Sequence, residues 1–206
     1  MIGGIILQHC LESSAIGSVT SMVRRPSGMG HTKLREVICD DFVSYDGLDA
    51  FFLSQDIAYF CLGVYSGQVP DDQFKKITVD FTRGFADMLK KRSPEAVFCF
   101  LSASGADPGE NSRVPFARYK GMAENYLIAK GFKSLYLFRP GYIYPVVSRR
   151  EPNLMYRMLR QLYPLIKLLG KTFSIQSTEL GKAMFIAGIS GADKMVLENI
   201  DIREIG

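Results

Sequence analysis

The sequence has little that could hold a soft metal ion. Only two histidines, His9 and His31, and four cysteines occur in 206 residues, and no two cysteines have CxxC spacing. Zinc sites normally draw four such ligands from short, regular spacings, so we expect no metal site. Most of the cysteines fall in apolar runs, which predicts buried free thiols in a reducing compartment.

Long apolar segments and concentrated charge are also absent. No run reaches the length of a membrane-spanning helix, and the first residues lack the basic start and cleavage site of a signal peptide. The net charge is only +4, and the basic residues are spread along the chain, which argues against a nucleic-acid partner. We expect a cytoplasmic protein with no membrane span.

The sequence does contain a regular alternation of strand and helix patterns. Hydrophobic residues make up 47% and charged residues 22%, enough for one sizeable core. Apolar runs predict strands at 18–23, 36–39, 57–62, 96–101 and 134–138, and weak alternation suggests a last strand within 195–205. Helical spacing predicts helices at 2–11, 46–53, 71–91, 115–130, 154–169 and 177–189. Such alternation is typical of parallel β–α–β units.

We therefore predict an α/β fold with a doubly wound parallel sheet of the Rossmann type. Residues 1–145 would form the dinucleotide-binding domain, and residues 146–206 a small, mostly helical C-terminal substrate lobe packed on it. Ligands of such sheets bind where the strands end. The Leu/Met/Arg-rich stretch 154–169 is a candidate contact for a homodimer.

Short motifs follow the predicted strands and helices in a characteristic order. They are Arg24-Arg25, Asp41-Phe42, Phe60-Cys61-Leu62-Gly63, Val79-Asp80, Leu101-Ser102-Ala103-Ser104-Gly105-Ala106-Asp107, Lys120-Gly121 and Phe138-Arg139-Pro140-Gly141. With these motifs the chain resembles an atypical short-chain dehydrogenase/reductase, of the NAD(P)H-binding type related to Tat-interacting-protein oxidoreductases. The resemblance covers nearly the whole chain. It implies a nicotinamide cofactor and a small carbonyl or sugar-like substrate.

The start of the chain departs from that family. Relatives open with a strand and a Gly-x-x-Gly-x-x-Gly loop that brings the backbone close to pyrophosphate. Here Gly3 matches the last glycine, while the first strand and the earlier glycines are absent. That strand would lie between the strands at 18–23 and 57–62, which should leave a slot there. We expect Met1 to be an internal methionine of a longer protein; the alternative is a true truncation that has given up the phosphate site.

The resemblance implies further cofactor-binding residues. Arginines at the end of the second strand suit the 2′-phosphate of NADP, because a guanidinium forms paired hydrogen bonds to phosphate. It therefore implies NADP, with NAD less favoured. The implied cofactor-binding set is Gly3, Arg24, Arg25, Asp41, Phe42, Leu62, Gly63, Lys120, Pro140 and Gly141.

The catalytic pattern of the family is Tyr-x-x-x-Lys with an upstream Ser, in which Tyr transfers the proton and Lys binds the nicotinamide ribose. Lys120 matches the lysine, but Phe116 stands in the tyrosine position and has no proton to give. Tyr119 is a neighbouring candidate. Ser102 matches the serine, and Ser104 remains an alternative. Tyr142 and Tyr144 are further candidate proton donors, although aromatic packing is the commoner role.

Three functions stay open at this point. The first is an NADP-dependent reductase or epimerase-like enzyme with weak or absent classical activity, because Phe116 replaces tyrosine. The second is a non-catalytic nucleotide sensor or interaction scaffold. The third is a chain that binds no nucleotide. The fold alone does not choose among them, and the substrate is not readable from the sequence.

Overall fold

The computed structural model describes residues 1–65, 67–147, 158, 160, 161, 163, 170 and 172–206. The strands are β1 (Val19–Val23), β2 (Leu34–Ile38), β3 (Ile57–Phe60), β4 (Val97–Leu101), β5 (Leu135–Arg139), β6 (Tyr142–Tyr144), β7 (Ser174–Gln176) and β8 (Val196–Glu198). The helices are α1 (Ile2–Glu12), α2 (Asp71–Lys75), α3 (Phe81–Arg92), α4 (Pro115–Ala129), α5 (Ser177–Ser190) and α6 (Asn199–Ile205). A π-helical turn at Lys76–Asp80 joins α2 to α3, and a 3-10 turn spans Asp49–Phe52.

All described strand pairs are parallel. The main sheet has the order β3-β4-β5-β8, and β1 pairs with β2 in a separate two-stranded sheet. β6 pairs with β7 in a small third sheet. The prediction of an α/β fold with a parallel sheet is confirmed.

Helices cover both faces of the main sheet, which explains why its strands are apolar on both sides. One core contains Phe98, Phe100 and Leu137 together with α3 and α4 residues such as Leu89 and Leu127. The other core is formed by α1, α5 and α6 against the opposite face. This layering places the strand ends, and the loops that follow them, along one edge.

Several predicted elements differ from the structure at their ends or in type. The predicted helix at 46–53 is only the 3-10 turn Asp49–Phe52. The tail is a three-residue strand, β8, followed by α6, because Glu198 and Asp201 form a reciprocal capping box that starts a helix. Strands β6 and β7 were not predicted, since three residues carry too little periodicity. The predicted helix at 154–169 falls largely outside the described residues.

The region after residue 145 does not stay apart from the sheet. β8 extends the main sheet beside β5, with Phe138 opposite Leu197. Helix α5 packs on α1 across that face, where buried Ile6 and Met184 belong to one core. The division at 145/146 stays a prediction, with the structural fact that the last strand belongs to the main sheet. Among the described residues, no helix is long and apolar enough to cross a bilayer.

The expected slot at the position of the first strand is present. In the described part of the chain β1 pairs only with β2, and β3 pairs only with β4. Between β1 and β3 lies a cavity of about 600 Å³, lined by both strands and by the start of α1. In the described residues, β1 and β3 are therefore not paired with each other.

Candidate functional site at the strand ends

The ends of β4 and β5 are tied together at the edge where ligands of this fold bind. The backbone N–H of Ser104 donates to the carbonyl of Pro140 at 2.9 Å, and the N–H of Ser102 donates to the carbonyl of Phe138 at 2.8 Å. The structure thus brings together the predicted residues Ser104, Pro140 and Gly141. Ser104 itself is exposed, whereas Ser102 is buried.

Lys120 extends from α4 to the end of β4. Its Nζ donates to the carbonyl of Leu101 at 2.9 Å and lies 5.0 Å from the centre of the Phe100 ring. Burial lowers the pKa of Lys120 to about 8, although nearby Glu124 and Cys61 oppose that shift. The Lys120 ammonium therefore has few hydrogen-bond acceptors around it. It lies at the position for which the resemblance implies a ribose-binding lysine.

A buried carboxylate lies one helical turn after Lys120. Glu124 is 1% exposed and accepts hydrogen bonds from the Ser102 hydroxyl and from Arg139, whose Nε is 3.0 Å from Oε1. Arg139 also donates to Glu198 on β8 at 3.2 Å. A charge in the interior is stable only with such partners. Ser102 therefore serves this network through its hydroxyl.

The sequence contains a signal for this network outside the motifs of the resemblance. Glu124 follows Lys120 by four residues, so the two share a helix face. Arg139 ends β5 and faces the same helix. Glu124 lies in a predicted core helix, four residues after Lys120. This position predicts an ion pair between Glu124 and Arg139, the next arginine along the sheet edge.

Phe116 and the candidate proton donor Tyr119 are held by packing and hydrogen bonds. The Phe116 ring stacks on Phe74 at 6.4 Å between ring centres. Tyr119 is 4% exposed, and its hydroxyl donates to the Asp71 carboxylate at the start of α2, at 2.6 Å. Tyr119 thus lies in a small apolar cluster with Phe74, with its polar atom held by a carboxylate.

Two glycines of the motifs are required by close backbone approach. A Cβ at Gly121 would stand 1.7 Å from the Asp107 carbonyl oxygen, because the loop after β4 lies directly on α4. A Cβ at Gly141 would stand 2.4 Å from the Phe173 carbonyl oxygen. The Gly141 N–H donates to the side chain of buried Asn199 at 2.8 Å. These motif glycines fix the loops of the site.

The predicted phosphate and adenosine positions are open. Apart from their chain neighbours and, for Gly4, the backbone of its own helix, no atom lies within 4 Å of a Cβ added at Gly4 or at Gly63. Gly3 packs at ordinary distance against Cys61, 3.5 Å from its Cβ, which places the start of α1 at the end of β3. Leu62 lines the cavity between β1 and β3.

The remaining predicted cofactor residues lie beyond β1 and β2. Arg24 and Arg25 follow β1 and are exposed. Asp41 is exposed, and its carboxylate accepts the Val43 N–H at 2.9 Å, which shapes a local turn. Phe42 is 2% exposed and packs on Phe81 at 5.6 Å, so the structure places it in the core rather than on the exposed edge.

Comparison with solved structures defines the class of fold. The Bordetella bronchiseptica enzyme WbmH in complex with NAD+ aligns with 95% of this chain and 70% of its own length, at 15% identity and a TM-score of 0.69. A UDP-glucuronic acid 4-epimerase from Bacillus cereus in complex with NAD covers 96% of this chain and 74% of its own length, at 15% identity and a TM-score of 0.68. A putative NAD-dependent epimerase/dehydratase from Bacillus halodurans gives 16% identity over 93% of this chain and 84% of its own length, with a TM-score of 0.66. The chain shares the Rossmann-like α/β fold of these proteins.

Two relatives found by sequence align with only part of this chain and part of their own length. The mitochondrial protein fmp52 of Aspergillus niger is 28% identical over 153 residues, which is 69% of this chain and 62% of that protein. The mitochondrial protein FMP52 of Eremothecium gossypii is 26% identical over 146 residues, or 68% of this chain and 61% of that protein. The chain spans less than two thirds of the length of these relatives. No family model matches the sequence.

Proposed function

We propose that this chain binds a nicotinamide dinucleotide across its strand ends, with NADP preferred over NAD. The observation that carries the proposal is Lys120, held at the end of β4 with its pKa lowered to about 8, in a fold shared with NAD-bound enzymes. An ammonium with few competing partners is suited to donate to ribose hydroxyls. The bound nicotinamide would supply the hydride chemistry.

The open positions at the edge fit such a ligand. The start of α1 at Gly3 and Gly4 offers backbone N–H groups to a pyrophosphate, and Gly63 leaves room for the adenosine. Arg24 and Arg25 are exposed at the end of β1, where they are available to a 2′-phosphate. The NADP preference depends on these two arginines.

Titration of the full chain with NADPH and NADH, followed by cofactor fluorescence, tests the proposal. We expect tighter binding of NADPH, and replacement of both Arg24 and Arg25 by alanine should weaken NADPH about tenfold or more while sparing NADH. Equal affinities in the unmodified chain would contradict the NADP preference. If neither nucleotide binds, the result favours the third hypothesis from the sequence, in which the protein binds no nucleotide.

A non-catalytic nucleotide-binding protein is the second candidate function, favoured by a specific observation. The hydroxyls of Ser102 and Tyr119 are bonded to carboxylates, and Phe116 has none. We expect turnover of small carbonyl or sugar-like substrates to be weak or absent. Phe116→Tyr should raise any reductase activity, and loss of brisk activity in Tyr119→Phe would instead identify Tyr119 as the proton donor.

A cytoplasmic location remains part of the proposal, while both sequence relatives carry the word mitochondrial in their names. Fractionation of cells that express the tagged natural protein decides between the two compartments. Recovery with the cytosolic fraction supports the prediction, and recovery with mitochondria contradicts it.

A further inference from the structure

The loop between β1 and β2 carries two arginines and a serine in an order that protein kinases recognise. Residues 24–32 are all exposed and belong to no helix or strand. The loop begins Arg24-Arg25-Pro26-Ser27. Basophilic serine/threonine kinases select a serine that follows arginines two and three positions upstream, because acidic side chains in the kinase cleft pair with those guanidinium groups. Ser27 therefore has the sequence context of a phosphoryl acceptor.

A second serine also follows a run of basic residues, and the two serines differ in burial. Ser93 comes directly after Lys90-Lys91-Arg92 at the end of α3. It is 6% exposed, and its hydroxyl donates to the Phe52 carbonyl at 2.7 Å and accepts from the Gln55 N–H at 2.8 Å. Such a hydroxyl reaches a kinase active site only after local unfolding. The structure therefore favours Ser27 over Ser93 as the acceptor.

The basic residues beside the two serines differ in the same way. Beside the buried serine, Arg92 donates to the Asp49 carboxylate, with its Nε 2.9 Å from Oδ1. In the part of the chain that the structure describes, the side chains of Arg24 and Arg25 form no hydrogen bond or ion pair. Both guanidinium groups are therefore available, first to a kinase and then to the phosphate that the kinase adds.

The surroundings of Ser27 are strongly basic. Residues 24–36 contain four lysines and arginines against one carboxylate, that of Glu36. The Ser27 hydroxyl accepts from the Met29 N–H at 3.1 Å, and the Ser27 N–H donates to Glu36 at 3.0 Å. A phosphate on this hydroxyl would be repelled by Glu36 and attracted by the surplus of cations. The balance of charge therefore directs it toward the arginines.

We propose that Ser27 is a phosphorylation site for a basophilic serine/threonine kinase, and that Arg24 and Arg25 bind the resulting phosphoserine. In the transfer, the Ser27 Oγ forms a bond to the γ-phosphorus of Mg²⁺-bound ATP, the bond from that phosphorus to ADP breaks, and the hydroxyl proton passes to a carboxylate of the kinase. The product carries a charge of about −1.5 to −2 and three acceptor oxygens. Two residues of chain span at most about 7 Å and three about 11 Å, so both guanidinium groups lie within reach.

The phosphoserine would occupy the same arginines that the proposed function assigns to the 2′-phosphate of NADP. Both groups are phosphate monoesters, so they compete for the same paired hydrogen bonds. Phosphorylation therefore lowers the affinity for NADPH and spares NADH, which has no 2′-phosphate. This consequence rests on the proposed function, whereas phosphorylation of Ser27 and its pairing with the arginines do not.

The first test treats the full chain with ATP, Mg²⁺ and the catalytic subunit of cyclic-AMP-dependent protein kinase. Mass spectrometry of the digested product should find one phosphate on Ser27 and none on Ser93. Replacement of both Arg24 and Arg25 by alanine should slow the reaction about tenfold or more, and Ser27→Ala should remove it. Absence of phosphate on Ser27, or equal labelling of Ser93, overturns the proposal.

Two readouts then separate the arginine pairing from nucleotide binding. The side-chain Nε–H resonances of Arg24 and Arg25 should shift on phosphorylation, while that of the exposed Arg113 stays unchanged. The phosphorylated chain should bind NADPH about tenfold more weakly and NADH equally well. Unshifted arginine resonances, or unchanged affinity in a chain that binds NADPH, overturn the proposal. If neither nucleotide binds either form, the proposed function fails, and shifted arginine resonances still support the phosphoserine–arginine pair.

Discussion

The two sides of the strand-end edge differ in how their polar groups are satisfied. Around β4, α4 and β5, the buried carboxylate of Glu124 is bonded to Ser102 and Arg139, and Lys120 is bonded to Leu101. Around β1 and β3, the strand edges face a cavity, and Tyr45 has an unpartnered hydroxyl within the described residues. We call the region around β4, α4 and β5 the closed side, because its polar residues are bonded to one another and hold the fold. The region around β1 and β3 is the open side, because its polar groups remain available to a ligand.

This difference changes how the motif residues are interpreted. On the closed side, Ser102 matches a catalytic serine by position, and its hydroxyl donates a hydrogen bond to the buried Glu124 carboxylate. On the open side, Arg24 and Gly63 have no comparable structural duty and fit ligand contact better. The comparison predicts that substitutions on the closed side other than Lys120 affect stability, while substitutions on the open side and at Lys120 affect binding.

Glu124→Ala should give the largest loss of stability. It leaves Arg139, whose side chain is only 14% exposed, without its main partner, and breaking a buried pair in this way costs about 3–5 kcal/mol. Urea unfolding measures the change. Glu95→Ala is the matched control, because the Lys133–Glu95 pair is 74% exposed on both sides and should contribute little. Similar small effects for both variants would contradict the closed-side network.

Ser102→Ala should cost about 1.5–3 kcal/mol, since Glu124 loses a hydrogen bond to its charged carboxylate. Ser104→Ala should change stability by less than about 0.5 kcal/mol, because Ser104 is exposed. Thermal and urea unfolding of the two variants compare them directly. Stability unchanged in Ser102→Ala would indicate that its hydroxyl is free for another role.

The same glycine substitution should have opposite effects on the two sides. Gly121→Ala brings a Cβ against the Asp107 carbonyl and should destabilise by about 1–3 kcal/mol. Gly4→Ala meets open space inside α1 and should be neutral or stabilise by up to about 1 kcal/mol. Equal unfolding midpoints for the two variants would contradict the close approach of the loop to α4.

Lys120 gives a pH-dependent prediction. Its folded pKa of about 8 lies below the ordinary value of 10.5, so the folded chain loses this proton before the unfolded chain does. Stability should therefore rise between about pH 8 and 10.5, while affinity for NADPH should fall about tenfold as the ammonium deprotonates above pH 8. Lys120→Met should remove both dependences. An affinity that stays constant from pH 7 to about 10 would contradict the assignment.

Much of the fold was predictable because long elements carry strong periodicity. Helix α4 begins at Pro115 as expected, since proline in the first turn loses no hydrogen bond. The slot was predictable from the order of strands, given that a first strand lies centrally in this fold. The three-residue strands β6 and β7 were not, because their pairing is decided by tertiary packing rather than by local pattern.

The sequence predicted the location of the candidate site better than it predicted the contacts that the site residues make. Lys120 lies at the strand ends as expected. The hydrogen-bond partners of Ser102 and Tyr119 were not predicted, because each hydroxyl meets a carboxylate, Glu124 or Asp71, from a distant part of the sequence. Such partners depend on which helix faces come together, which a motif does not encode. The resemblance implied a cofactor-binding role for Phe42, whereas the structure shows its ring buried in the core against Phe81.

Nuclear magnetic resonance of the full chain titrated with NADPH tests the central claim most directly, because it locates the ligand and its affinity together. The account predicts saturable chemical-shift changes at Gly4, Arg24, Gly63 and Lys120, with Ser134 at the opposite end of β5 unchanged. Saturable changes confined to other surfaces, or none at all at millimolar NADPH, would contradict a nucleotide site at these strand ends.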